Sequence, residues 1–255
     1  MPTLIFADDT TFRQRVLASP LPVLACFTAE GCTASQALRL LLQGLAPRYI
    51  GQLTFVETDA GASVAEQFGV AATPSLLVFR HGDEVLRSVG FLPAPLLELL
   101  CADAAQASGE YSRQWAPLEE RFEQAALLPL LDGLGLRYQR QHQIINWPKS
   151  ARSGRIDLLV HDEGGLVTLI ESKRGLRSET DLRAAVRQAH SYARAMQTAS
   201  FVVAAPAGLW VYASHGERAL LEQAFSWLDL EQGVAPFGEL LMWLRARSLH
   251  AVQGT

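Results

Sequence analysis

Two apolar stretches on either side of a glycine-containing turn, between residues 154 and 174, restrict the fold of this chain more tightly than any other segment. Gly154-Arg155-Ile156-Asp157-Leu158-Leu159-Val160 reads as one strand, and Leu169-Ile170-Glu171-Ser172-Lys173-Arg174 as the end of the next. Side chains alternate along a strand, so Glu171 and Lys173 share a face while Ser172 takes the other. Asp157 joins them only if it lies opposite Glu171, which needs an odd number of loop residues. A three-residue loop Glu163-Gly164-Gly165, closed by Asp162 opposite Leu166, meets that condition and places a glycine at the left-handed position. A two-residue Gly-Gly turn would set Asp157 across from Ser172 unless a bulge restored the pairing. Gathering both acids and the lysine on one face therefore predicts the odd loop.

Two carboxylates and a backbone carbonyl suit a hard cation such as Mg2+, with Mn2+ able to substitute. Such an ion lowers the pKa of its water and screens phosphate charge, and an adjacent lysine can position the nucleophile. The chain has only two lysines, Lys149 and Lys173, against twenty arginines, and one of the two falls in this motif. An isolated E-x-K is more often a solvated ion pair, so the surrounding sequence has to decide.

Upstream, Pro117-Leu118-Glu119-Glu120-Arg121-Phe122-Glu123 opens a helix that runs through Leu131 towards Gly133, with Glu119 and Glu123 on one face. Downstream, Thr180 to Met196 reads as a helix carrying Gln188 and Tyr192 four apart. At these positions the chain resembles the PD-(D/E)XK nuclease superfamily, especially the nuclease region of type I restriction motor subunits. The shared pattern is a helical Glu119 ten residues before Pro129 of P-L-L-x-x-L-G, then I-D, then I-E-x-K-R, then Q-x-x-x-Y-A, spanning 115–206. The resemblance implies a restriction endonuclease-like α/β/α core with a mixed sheet and metal-dependent hydrolysis of DNA. Asp157 and Glu171 would be metal ligands and Lys173 the catalytic lysine. Glu119 would help hold the metal or its water, with Glu123 as the competing assignment, and Gln188 would contact substrate or order the lysine. Gly154-Arg155-Ile156 stands where the name-giving motif has a proline before its Asp. A role in antiviral defence follows from the same resemblance, by analogy only.

Charge supports a nucleic-acid partner locally. The chain carries a net charge of -4, yet residues 137–194 hold 11 basic against 6 acidic side chains. Arg174, Arg177, Arg183, Arg187 and Arg194 belong to this stretch, and the last three would line one side of the Gln188 helix. Such a stripe can pair with backbone phosphates, while a solvated helix face explains any single arginine equally well.

The first hundred residues follow another pattern. Leu21-Pro22-Val23-Leu24-Ala25-Cys26-Phe27 is a buried-strand run leading into Glu30-Gly31-Cys32-Thr33-Ala34-Ser35 and a helix from Gln36 to Tyr49. Leu53 to Asp59 is a second strand, and Val64 to Phe79 supplies a short helix, a Thr73-Pro74 turn and a third strand. This order resembles the thioredoxin fold, most specifically in F-x-A-E-x-C and V-x-x-T-P-x-L-x-x-F, and it implies a cis Thr73-Pro74 bond. Dithiol exchange needs a second thiol, and C-x-x-C is here Cys32-Thr33-Ala34-Ser35. The residue before Cys32, a Trp in the family, is Gly31, and Thr33-Ala34 replaces Gly-Pro. Cys32 at a helix N-terminus can still have a depressed pKa and form mixed disulfides, but the favoured expectation is a redox-inactive domain used for docking a protein partner or for oligomerisation. Cys26 and Cys101 read as core residues.

With 255 residues and 49% hydrophobic content the chain can bury two cores, a thioredoxin-like domain over 1–106 and a nuclease-like domain over 110–255. No run of eighteen apolar residues exists and the start, with Asp8 and Asp9, lacks a basic opening. The expectation is therefore a cytoplasmic protein with no membrane contact and no signal peptide. Phe201 to Pro206 and Leu209 to Ala213 read as the closing strands of the second sheet, and Gly216 onward as helical. Trp227, Phe237, Trp243 and Leu244 are expected in the core or at a contact between copies of a homo-oligomer. The competing functions are a catalytically silent nucleic-acid-binding scaffold and a monothiol redox protein acting through Cys32.

Overall fold

A computed structural model describes residues 4–106, 118–144, 154–163, 165–173, 176, 179–232, 236 and 238–244. The chain divides into two compact units, Met1–Pro117 and Leu118–Thr255. The junction expected at 107–109 lies outside the described residues.

The first unit is built on a five-stranded sheet in the order β1-β3-β2-β4-β5, from β1 (Ile5–Phe6), β2 (Val23–Thr28), β3 (Thr54–Asp59), β4 (Ser75–Arg80) and β5 (Asp83–Val89). β1 and β2 run parallel to β3, and β4 runs antiparallel to both β2 and β5. All six residues of the central β2 are buried, so it reads in sequence as a continuous apolar run rather than an alternation. Phe12, Phe27, Phe68 and Phe79 pack as tilted or edge-on rings in one core cluster. The helix α1 (Thr33–Leu45) starts three residues earlier than periodicity alone suggested, with Cys32 as its extended N-cap, and its last expected turn is the 3-10 segment Ala46–Tyr49. The short α2 (Ser63–Gln67) precedes a cis Thr73-Pro74 bond, as the resemblance implied, and α3 (Ala94–Ala105) closes the unit.

The second unit holds a mixed six-stranded sheet in the order β11-β10-β9-β8-β7-β6. Its strands are β6 (Arg137–Gln143), β7 (Arg155–Asp162), β8 (Gly165–Ser172), β9 (Ser200–Ala205), β10 (Gly208–His215) and β11 (Arg218–Phe225). Before it come α4 (Leu118–Phe122), a π-helical turn Glu123–Leu127 and α5 (Leu128–Gly133). β8 and β9 pair in parallel and are joined by the long helix α6 (Glu179–Met196), as a parallel pair requires. Ala185, Ala189, Tyr192 and Ala193 of α6 pack on Leu169, Phe201, Val203 and Tyr212 of the sheet. A second helical contact involves Phe122 of α4, which meets the ring of Trp227 at the start of α7 (Trp227–Gln232), and the Trp227 indole donates to the Ala205 carbonyl.

Two expectations fail here for identifiable reasons. The segment Arg218–Phe225 is a strand, not a helix: its Ala, Leu, Glu and Gln favour helix locally, but pairing with β10 across the turn at Gly216 (φ 54°) overrides that preference. The β7–β8 hairpin does not use a three-residue loop. Asp162 pairs with Gly165, leaving two residues between them, and that register alone would carry Asp157 opposite Ile170. One extra residue on β8, where Val160 pairs with Thr168 and His161 with Leu166, shifts the register by one. Beyond the bulge the ladder ends with Leu158 paired to Ile170, a register that would set Asp157 across from Glu171 if continued by one step. Parity is restored by a bulge in mid-ladder instead of by the loop.

Candidate functional site

At the C-terminal end of β8 the sequence places an acid, a hydroxyl and a base in succession, and the sheet distributes them to different neighbours. Glu171 is 1% exposed, and Lys173 donates its ammonium to Glu171 Oε1. The Lys173 N–H continues the parallel ladder to the Ala204 carbonyl at 2.8 Å, which turns the Ser172 N–H the other way, towards β7. There Asp157 Oδ2 accepts it at 2.9 Å. The carboxylate thus stands in for a ladder partner at the end of the described β7–β8 pairing.

The helix α6 supplies the third side of this group. Gln188 Nε2 donates to Tyr192 Oη at 3.0 Å. Burial pushes the Tyr192 phenol above its ordinary pKa; the Gln188 hydrogen bond opposes that, the charges of Glu171 and Asp157 add to it, and Lys173 opposes it. Asp157, Glu171 and Lys173 thus lie near enough for their charges to act on the phenol that Gln188 hydrogen-bonds. Among the described residues no group of three or more His, Cys, Asp or Glu side chains is set to hold a metal ion.

Ser172 faces away from Glu171 and is fully buried. Its hydroxyl lies 2.5 Å from Glu123 Oε1 and 3.3 Å from Asp157 Oδ2. Glu123, 3% exposed in the π-helical turn, also accepts from the Arg140 guanidinium of β6 at 2.9 Å. Of the two acids weighed on this helix, Glu123 is the one seen to engage Ser172; the side chain of Glu119 lies outside the described residues. Neither Arg140 nor Ser172 stood out in the sequence. Arg140 sits in the polar run R-Y-Q-R-Q-H-Q, an edge strand without apolar alternation, and Ser172 occupies the unspecified position of E-x-K.

The expected arginine stripe is exposed but partly engaged. Arg183 pairs with Glu179 at 2.5 Å and Arg194 with Glu217 at 2.6 Å, while Arg187 is exposed between them. Arg174 and Arg177 lie outside the described residues.

In the first unit Cys32 is partly exposed at the head of α1, with its sulfur 3.9 Å from the Thr73 carbonyl beside the cis proline. Hydrogen bonding to the Ser35 hydroxyl, helped by the Ser35 N–H, Thr73 and the Ala34 N–H, lowers its pKa against a smaller effect of burial. Burial does the reverse to the other thiols: it pushes Cys101 up to about 12 and Cys26 higher still. One ionisable thiol is thus presented where the fold usually holds two, and Ser35, fully buried, stands in the second place.

Sheet order, the cis proline and a thiol at the head of α1 define the first unit as a thioredoxin-like domain. Comparison with known proteins agrees, since the Thioredoxin family model matches residues 3–101. Thioredoxin 1 of Synechococcus elongatus is 36% identical over 91 residues, covering 35% of this chain and 85% of the relative. Thioredoxin 1 of Nostoc sp. is 35% identical over the same shares, and thioredoxin of Haemophilus influenzae is 32% identical over 36% of this chain and 89% of its own length. Through this domain the chain belongs to the thioredoxin family. The match ends at residue 101, ahead of the six-stranded sheet and the acid-rich group it carries.

Proposed function

We propose that the second unit is a Mg2+-dependent DNA endonuclease of the PD-(D/E)XK type, with a restriction endonuclease-like core. The observation that supports this is the grouping at the end of β8 of Asp157, bound to the Ser172 N–H, and the Glu171–Lys173 pair, near enough for their charges to act on the phenol of the Gln188–Tyr192 pair. A solvated surface ion pair would not bring a 1% exposed carboxylate together with an acid across the register and a helix from the crossover.

The residues fit the ion the reading requires. Magnesium takes one or two carboxylates and fills its shell with water and substrate phosphate, so the two acids Asp157 and Glu171 suffice as protein donors. When bound, the ion would supply an ionised water and neutralise charge on the phosphate. Lys173, held beside Glu171, would orient the attacking water and stabilise negative charge as it develops. Gln188 would order the lysine or contact the substrate, and Arg183, Arg187 and Arg194 would exchange their present surroundings for backbone phosphates. Binding through those arginines is salt-dependent and largely blind to sequence. The self-association and defence role expected from the resemblance belong to this reading as well.

The test is cleavage of supercoiled plasmid and linear duplex by wild-type and Lys173→Ala protein with Mg2+, Mn2+ or EDTA. Metal-dependent nicking by the wild type that is lost in Lys173→Ala supports the proposal; folded wild-type protein inert on both substrates overturns it in favour of a silent DNA-binding scaffold.

For the first unit we infer a docking or oligomerisation domain that has lost dithiol exchange, because Ser35 cannot resolve a mixed disulfide. The depressed pKa of Cys32 favours a second reading, in which this single thiol captures a protein partner covalently. Recovery of disulfide-linked partners by wild-type but not Cys32→Ser protein decides between them.

A further inference from the structure

One buried hydroxyl lies between two carboxylates on opposite sides of the candidate site. Ser172 Oγ is 2.5 Å from Glu123 Oε1 and 3.3 Å from Asp157 Oδ2, and the Ser172 N–H donates to that same Asp157 oxygen at 2.9 Å. A hydroxyl has a single proton to give, and the shorter contact to Glu123 claims most of it. Arg140, at 2.9 Å from the other Glu123 oxygen, balances the charge of that acid and anchors it to β6. Ser172 is therefore clamped from behind by the Glu123–Arg140 pair while its own N–H and hydroxyl bear on Asp157.

We propose that Ser172 is a positioning residue, which, backed by Glu123 and Arg140, fixes the plane of the Asp157 carboxylate and so presents its outer oxygen to a divalent cation. This rests on the metal-site reading of Asp157 and Glu171. The physical need is clear: a carboxylate on a strand end can rotate about its side-chain bonds, and every rotamer frozen before binding lowers the entropy lost when a cation arrives. The N–H as full donor, and the hydroxyl through the minor share of its proton and its close packing at 3.3 Å, bear on one oxygen and restrict that rotation. The Ser172 N–H survives any substitution except proline, so the hydroxyl is the part that can be tested.

Divalent-ion affinity is the readout, with Mn2+ as the probe and free Mn2+ followed by its paramagnetic resonance signal in titrations of the full chain. Wild type, Asp157→Asn, Ser172→Ala and Ser172→Thr are compared, with tryptophan fluorescence confirming that each is folded. Removing a group that orients a metal ligand typically costs about 10- to 100-fold in affinity, so Ser172→Ala is expected to bind Mn2+ that much more weakly. Ser172→Thr, which keeps the hydroxyl, should recover most of the loss, a rescue that a merely structural role does not predict. Should Ser172→Ala fail to fold, Glu123→Leu/Ser172→Ala carries the same test, because it removes the buried acceptor together with its donor. Mn2+ affinity equal to wild type in the folded hydroxyl-free variant, with binding lost in Asp157→Asn, overturns the positioning role and leaves the metal site standing. Wild-type protein that binds no Mn2+ overturns the metal site itself, and this inference with it.

Discussion

The Glu123–Arg140 pair offers the sharpest quantitative prediction, since Arg140→Met withdraws the guanidinium from a carboxylate that is 3% exposed. Breaking a fully buried ion pair from one side costs about 3–5 kcal/mol, because the remaining charge stays out of water. Here the Arg140 side chain is 35% exposed and already shares its charge with solvent, and Ser172 still donates to Glu123. The cost should therefore fall to roughly 2 kcal/mol. Glu123→Leu/Arg140→Met removes both the charge and its partner, and should recover most of that loss, as apolar replacements of buried pairs do. Four of the five tryptophans, Trp147, Trp210, Trp227 and Trp243, belong to the second unit, so fluorescence follows chiefly the unfolding of that unit. In urea, with a slope of about 2 kcal/mol per molar, Arg140→Met should lower the midpoint by about 1 M. A midpoint within about 0.2 M of wild type, on that same slope, would refute the claim that the guanidinium stabilises a buried charge. A double variant no more stable than Arg140→Met would refute the buried carboxylate as the cause of the loss.

Other outcomes test separate parts of the molecule. Cys32 alone of the three cysteines should react with a disulfide reagent in the native protein; because its pKa is lowered, the reaction should persist to lower pH than for a free thiol and fall off as pH drops through the lowered value. A fast-reacting thiol remaining in Cys32→Ser would contradict this. Asp8, held down to about 2 by the hydroxyls and N–H groups of Thr10 and Thr11, contributes stability above the ordinary value of 3.8 that is lost as pH falls through about 2. An NMR titration of its carboxyl with a midpoint near 3.8 would remove that contribution. Gly208→Ala adds a methyl group 2.6 Å from the Phe225 carbonyl oxygen at φ +151°, and should destabilise the second unit by about 3 kcal/mol or more. An unchanged fluorescence midpoint would show that β10 and β11 can separate without cost.

How far the sequence could be read depended on the kind of interaction. The central strand of the first unit is legible because both its faces are covered, so Val23 to Thr28 need no partner to declare themselves. The thioredoxin fold follows from residues close together in the chain, such as Cys32 at a helix start and Thr73-Pro74 before a strand. β6 and β11 were not legible, since an exposed polar edge and a run of helix-forming residues become strands only through a neighbour's ladder.

Sequence by itself determined the identities at the candidate site: Asp157, Glu171 and Lys173 on two strands, Gln188 and Tyr192 one turn apart on a helix, and a serine where exchange chemistry needs a second thiol. Alternation along β8 also determined that Ser172 would face away from Glu171 and Lys173. Tertiary structure decided which part of β8 Asp157 would approach, because strand register depends on a bulge that no local pattern announces. It also decided that Glu123 and Arg140 would close on Ser172, 49 residues along the chain from Glu123. The physical reason is common to both: a local pattern assigns each side chain to a face, whereas register and burial, which select its neighbours, arise only when distant segments compete for the same space and the same hydrogen bonds.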